Sequence, residues 1–309
     1  MIKAHGKVKR LRFSKTGYVI VGMVLLVAAG MLVQGGKQRA HALEEGGVFL
    51  SSAALSQGEV GLVRVRADGR KAPSVVWLEK EIPLSPNAQK TRWVGFLGVD
   101  LREKPGIRKI LVRRSRDGPQ RELAIRIVPK DYGVRRLTLP KAMVDLDAKT
   151  LERVRSESKI VNRLWGEPPL PPSWDGAFIM PLEGEVVGPF GRRSIINEQP
   201  RSPHSGVDLR ARKGTPVRAI NRGRVELTAD HFFSGLSVVI NHGGGVQSMY
   251  FHLEKIAVEE GDLVEKGQVI GYVGSTGRAT GPHLHFGVRV NGSRVDPLGL
   301  ISMSQAILE

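Results

Sequence analysis

The sequence predicts a mainly β protein, and three observations carry that expectation. Short apolar runs of four to eight residues recur along the chain, separated by turn pairs such as Asp68-Gly69, Ser85-Pro86, Pro105-Gly106 and Asn291-Gly292. Glycine is abundant, at 37 of 309 residues. One stretch alone, 147–165, carries a helical apolar stripe on a charged background. A chain of this length is expected to form more than one folded part.

The first element is not part of a folded domain. Six basic residues fall within the first fifteen, the run YVIVGMVLLVAAGMLV (18–33) is uncharged, and Ala40 and Ala42 follow. A basic start, an apolar middle and an A-x-A site describe a secretory signal peptide. At sixteen residues the run is somewhat short for a full span, and Lys37 and Arg39 sit close to the cleavage site, so an uncleaved membrane anchor over 1–42 is the other reading. Either one puts the rest of the chain outside the cytoplasm, in the periplasm or cell envelope.

Residues 46–139 then read as a small, immunoglobulin-like β-sandwich. GLVRVRA (61–67) alternates valines with Arg64 and Arg66, and SVVWLEKEI, RWVGFLGVDL, IRKILVR and RELAIRIV continue the series. No chemistry is evident in this part, so a spacer or docking role is expected. Over 147–165, Leu151, Val154, Val161 and Leu164 share a helix face, with Asp147 as N-cap. EPPLPPSW (167–174) must end that helix and continue as a stiff, extended connector. The helix and linker together fill 140–175, and an antiparallel β-rich domain fills 176–309.

The net charge is +17, from 47 Lys and Arg against 30 Asp and Glu. Residues 1–42 carry eight basic residues and no acid, which leaves 17 − 8 = +9 on the remainder. That excess suits an anionic partner such as a cell wall or membrane surface. Few aromatic residues interleave with the basic ones and no nucleic-acid motif is present, so nucleic acid is not expected as a partner. There is no cysteine. Disulfides and thiolate metal sites are therefore excluded, and any metal must be held by His, Asp or Glu.

Near the C-terminus, GPHLHFGV (281–288) alternates with period two, so His283 and His285 share one strand face opposite Leu284 and Phe286. HSGVD (204–208) places His204 and Asp208 on one side of an extended segment, with Gly206 arguing against a helix. His204, Asp208 and His285 make three N/O ligands for one zinc with a fourth position open, the pattern of a catalytic rather than a structural site. His283, and His252 from MYFHL (249–253), are left to move protons beside it. His242 in NHGGG reads as structural and His231 as a surface residue. Asp296 is a candidate hydrogen-bond partner for a ligand histidine, and Arg278 and Thr280 are candidates to line the groove.

In order along the chain, GPFGRR (188–193), HSGVDL (204–209), GTPVRAINRGRV (214–225), VVINHGGG (238–245), MYFHL (249–253), GDLVEKGQVIGYVGSTGRATGPHLHFGV (261–288) and VDP (295–297) resemble the lysostaphin-type, LytM-like zinc endopeptidases of peptidase family M23. The resemblance spans residues 180–298. It implies His204, Asp208 and His285 as zinc ligands and His252 and His283 as catalytic histidines. It also implies hydrolysis of cross-bridge or stem peptides of bacterial peptidoglycan by zinc-activated water. Phe251 stands where a small residue is common in that family and is expected to shape the groove. A different class of function, a non-enzymatic wall-binding regulator that activates other hydrolases, would be expected to lack some of these five residues.

Overall fold

A computed structural model describes residues 42–67, 72–115, 118–138 and 146–307. The segment read as a signal peptide or anchor lies outside the described residues except for Ala42. Among the described residues no helix is long and apolar enough to cross a membrane. The described residues form one compact unit.

Strands are numbered along the chain. The N-terminal half is a sandwich of two five-stranded sheets. One sheet runs β1 (Leu43–Glu45), β2 (Val48–Leu50), β4 (Val60–Arg66), β8 (Arg92–Gly98), β7 (Ser85–Pro86). The other runs β3 (Ala54–Ser56), β10 (Gln120–Val128), β9 (Gly106–Arg113), β5 (Ser74–Trp77), β6 (Lys80–Glu81). Val48, Leu50, Val63, Val65, Val75, Trp77, Ile110 and Ile125 fill the space between them and are buried. The alternation in GLVRVRA holds at its C-terminal end only. From Val60 to Val63 every residue of β4 is buried, because the first sheet is covered on its outer face as well. That outer face gives Val60, Leu62 and Phe96 to the core of the second half, where Phe96 meets Trp174 and Phe178 at ring separations of 5.6 and 6.1 Å.

The second half is built on a ten-stranded sheet. Its main path is β12 (Glu185–Gly188), β15 (Gly206–Arg210), β22 (His283–Val290), β19 (Val246–Ile256), β18 (Gly235–Asn241), β17 (Gly223–His231), β20 (Leu263–Val264). Off that path, β21 (Val269–Val273) pairs with β19 and with β16 (Pro216–Arg218), and β23 (Ser293–Val295) pairs with β22. One face buries Val207, Leu209, Tyr250, Leu284, Phe286 and Val288. A small third sheet joins β11 (Val134–Leu137), which follows the sandwich, to β13 (Arg193–Ile196) and β14 (Gln199–Pro200).

Helix α1 (Ala148–Leu164) starts at Asp147, whose carboxylate accepts from Thr150 N at 2.7 Å. Val161 and Leu164 pack with Trp165 on Leu227, Val239 and Met249, on the face opposite the main core. Leu151, expected on the same stripe, is exposed. The first half of the helix is held instead by polar contacts: Arg153 donates to Asp230 O at 3.0 Å and Glu157 accepts from Phe232 N at 3.0 Å. The proline segment after the helix is docked against the sheet, with Gly244 N donating to Leu170 O and both Ser173 N and Trp174 N donating to His242 O. A short helix, α2 (Pro297–Ser304), closes the chain.

Candidate metal centre

The site lies on the same face of the large sheet as α1, opposite the main core. Pairing in register puts Asp208 opposite His285 and Arg210 opposite His283 on β15 and β22, and Phe251 of β19 opposite His285 on the other side. Leu284 and Phe286 turn into the core, fully buried, so both histidines of HLH face outward as the alternation predicts. His204 enters from the loop before β15, its backbone fixed by His204 N to Arg192 O (3.0 Å) and Gly191 N to His204 O (2.8 Å).

Three donor atoms from two distant parts of the chain converge. His204 Nε2 is 3.0 Å from Asp208 Oδ1, His285 Nδ1 is 2.9 Å from the same oxygen, and the two ring nitrogens are 3.0 Å apart. His204 presents its Nδ1 to the Pro189 carbonyl at 3.0 Å, which places its proton there and leaves the Nε2 lone pair facing the cluster. An electron-rich triangle of this kind fits a cation. Bonds of 2.0–2.1 Å in a tetrahedral zinc site give ligand–ligand edges of about 3.3–3.4 Å, a few tenths longer than the spacing here. His204, Asp208 and His285 are the group that can hold a metal ion among the described residues. Burial alone pushes the Asp208 carboxyl up. Its hydrogen bonds with His204 and His285 outweigh that and hold it well below the usual carboxylate range. Burial lowers the pKa of His285, against the opposing hydrogen bond to Asp208.

The remaining two histidines are also oriented through Nδ1. His283 Nδ1 lies 2.8 Å from Gly281 O, which turns Nε2 toward Asp208 at 3.9 Å. His252 Nδ1 lies 2.8 Å from Thr276 O, and its ring stands 4.8 Å from that of His283. Burial lowers the His252 pKa to about 4, which keeps the ring neutral near pH 7.

His252 reaches this position through a β-bulge. Leu236 pairs with Leu253 and Val238 with Tyr250, so two steps along β18 face three along β19. His252 takes φ +64°, a left-handed conformation that costs most residues about 1–2 kcal/mol. The extra residue lets neighbours 251 and 252 both meet the site. Phe251 stacks on His285 with centroids 5.4 Å apart and planes 8° from parallel, while His252 meets His283. Phe251 therefore contacts a candidate ligand rather than only shaping the groove.

Three residues of the site lie in the quoted stretches but have no role assigned from the sequence. Thr276 holds the His252 ring through its carbonyl, accepts from Leu236 N through Oγ1, and donates from Oγ1 to Leu253 O. Pro189 supplies the carbonyl behind His204. Gly188 lies so close to Asp208 that a Cβ there would fall 2.1 Å from Oδ2. Asp296 does not touch a ligand histidine. It caps α2 by accepting from Leu298 N at 3.1 Å. Thr280 lines the cleft beside His283, and Arg278 lies over the Phe233 ring at 4.2 Å. His231 ends β17, half-buried and paired with Gly235. His242 is fully buried away from the site, between Arg222 O and Ser248 Oγ, both at 2.8 Å.

A cleft of about 720 Å³ opens directly beside Asp208 and His283. A larger one, about 770 Å³, lies between the sandwich and the proline segment, lined by Trp93, Trp165 and Pro168. No histidine lines it.

The model of peptidase family M23 matches residues 202–297. The DD-carboxypeptidase/endopeptidase Mpg of Neisseria meningitidis is 42% identical over 115 residues, 37% of this chain and 26% of that protein. The peptidoglycan DD-endopeptidase ShyA of Vibrio cholerae is 44% identical over 97 residues, 31% of this chain and 23% of its own length. The match thus spans about a quarter of the length of these curated relatives. A solved structure from Pseudomonas aeruginosa, assigned to peptidase M23, superposes with a TM-score of 0.63 at 30% identity, covering 80% of this chain and 95% of that one. With the family model lying on the strands that bear these side chains, and a solved relative matched over nearly its whole length, the chain belongs to peptidase family M23.

Proposed function

We propose that this protein is a zinc-dependent endopeptidase that hydrolyses cross-link or stem peptides of bacterial peptidoglycan. The observation that carries the reading is the convergence of His204, Asp208 and His285 within 3.0 Å of one another beside an open cleft. Relatives with matching sequence are named as peptidoglycan DD-endopeptidases, which supports the substrate class.

His204, Asp208 and His285 would hold the zinc ion, which supplies Lewis acidity toward the scissile carbonyl and toward water. The other side chains handle protons and charge. His252, neutral and fixed through Nδ1, offers Nε2 as a general base and can return the proton to the leaving amine. His283, held by Gly281 O, presents its Nε2 on the same face and, as the imidazolium, donates that N–H to negative charge developing on the carbonyl oxygen. Phe251 limits the rotation of His285 by stacking.

Peptidoglycan lies outside the cytoplasm, and the basic-then-apolar segment 1–42 supports export as a cleaved signal or an anchor. We assign hydrolysis to residues 176–309 and a spacer or docking role to 46–139. A regulator without hydrolytic activity has no need of all five of these side chains. Mass spectrometry of a purified, cross-linked muropeptide should show cleavage by the wild-type chain. The His252→Asn variant should lose at least about a hundredfold in rate while keeping its thermal midpoint within a few degrees. Full cleavage by that variant would contradict the assigned role.

A further inference from the structure

Resting on the peptide-hydrolase reading, we infer that the cleft beside the metal ligands, walled by Arg135, Arg210 and Arg212, binds a free carboxylate of the peptide substrate. All three arginines are exposed and line the same cleft as Asp208 and His283. The side chains of Arg135 and Arg212 have no hydrogen-bond or ion-pair partner among the described residues. Arg210 is bound only to Glu185, at 3.0 Å, and that pair is about two-thirds exposed. Such a surface pair contributes little and exchanges readily for a better partner. Among the described residues the one acid lining the cleft, Asp208, is already engaged by His204 and His285. Three guanidinium groups thus face one open volume with no free acid among the described residues that line it.

A planar guanidinium matches a carboxylate through two parallel hydrogen bonds. Arg210 stands opposite His283 in the strand register, so this charge is built into the same ladder as the chemistry. An extended peptide rises about 3.3 Å per residue. A carboxylate in the cleft therefore belongs to a residue close to the bond that is cut. Arg135 comes from β11, the strand that follows the sandwich and pairs with β13 beside the site. The recognition surface thus draws on chain outside the segment that matches the family model.

The test uses fluorescently labelled, cross-linked muropeptide dimers from isolated sacculi, either native or with their carboxylates amidated by carbodiimide and ammonia. Binding is measured by anisotropy to the full chain carrying His252→Asn, so it is readable even if the wild-type protein hydrolyses nothing. Amidation should weaken binding about tenfold. Adding Arg135→Ala with Arg212→Ala should weaken binding of native dimers by a similar factor. The same removal of charge at Arg126, exposed on β10, should leave the affinity unchanged. In the wild-type background the double substitution should raise KM. Both substituted side chains are exposed and unpaired, so the thermal midpoint should stay within a few degrees. Synthetic dimers amidated at one carboxylate at a time then separate a chain-terminal carboxylate from a side-chain one: whichever reproduces the loss is the recognised group. Equal binding of native and amidated dimers, or an unaltered affinity in the double variant, would overturn the inference.

Discussion

At the scale of single residues, the site depends on close approaches that leave no room for a methyl group. Asp208 can point at His204 and His285 because Gly188 on the neighbouring strand has no Cβ. Gly188→Ala would place a carbon 2.1 Å from Oδ2, so the carboxylate or the strand must move. The expected outcome is a loss of at least about tenfold in zinc affinity, read by competition with a chromophoric chelator, with a stability cost of about 1–3 kcal/mol. Unchanged zinc affinity would show that the carboxylate is not held where this glycine allows it. Residue identity is also where the sequence is most legible. The period-two pattern of HLHFGV is enough to put both imidazoles on one face, because burial of Leu284 and Phe286 permits no other registration.

At the scale of elements, the informative feature is the bulge at His252. In an unbulged strand Phe251 and His252, as neighbours, would lie on opposite faces. The count of residues on the opposing strand decides otherwise, and that count is not present in the local sequence. Thr276 is illegible for a related reason: its role depends on a loop folding back over β19. The other end of these same strands carries a structural histidine. His242 keeps its Nδ1 proton on Arg222 O and accepts from Ser248, whose hydroxyl is 2.9 Å from that of Tyr250. Burial lowers its pKa to about 4, against about 6.5 in the unfolded chain. Between those values the unfolded chain holds the proton and the folded one does not. Stability therefore rises with pH across that window and is lost as the pH falls through it, by about 3 kcal/mol in full. Urea unfolding of the wild type and of His242→Gln between pH 4 and 7 measures this, and the variant should show a flatter profile. An identical slope in both would place the acid sensitivity elsewhere.

At the scale of the whole molecule, the two halves are joined by a shared core. The outer face of the first sandwich sheet packs on the aromatic cluster of Trp174 and Phe178. Asp100 receives two hydrogen bonds from the Arg294 guanidinium, at 2.6 and 3.0 Å, and one from its backbone N–H at 2.8 Å. Composition and turn spacing indicate two β-rich parts and a helix between them. They do not indicate that β4 is buried on both faces, since a run such as VGLV has the same letters whether one layer or two cover it. Nor do they indicate that β11 brings Arg135 to the cleft, because that pairing joins residues about sixty apart. The sandwich is thus packed against the sheet that carries the histidines, and the strand that follows it walls the cleft. The claim on which all of this rests is that His204, Asp208 and His285 hold a single metal ion. The direct measurement is metal content by inductively coupled plasma mass spectrometry, on protein stripped with chelator, reloaded with zinc and desalted. One zinc per chain in the wild type, with near-complete loss in both His204→Ala and His285→Ala, is the predicted result. Full zinc retention by either variant, or no zinc retained by the folded wild type, would contradict it.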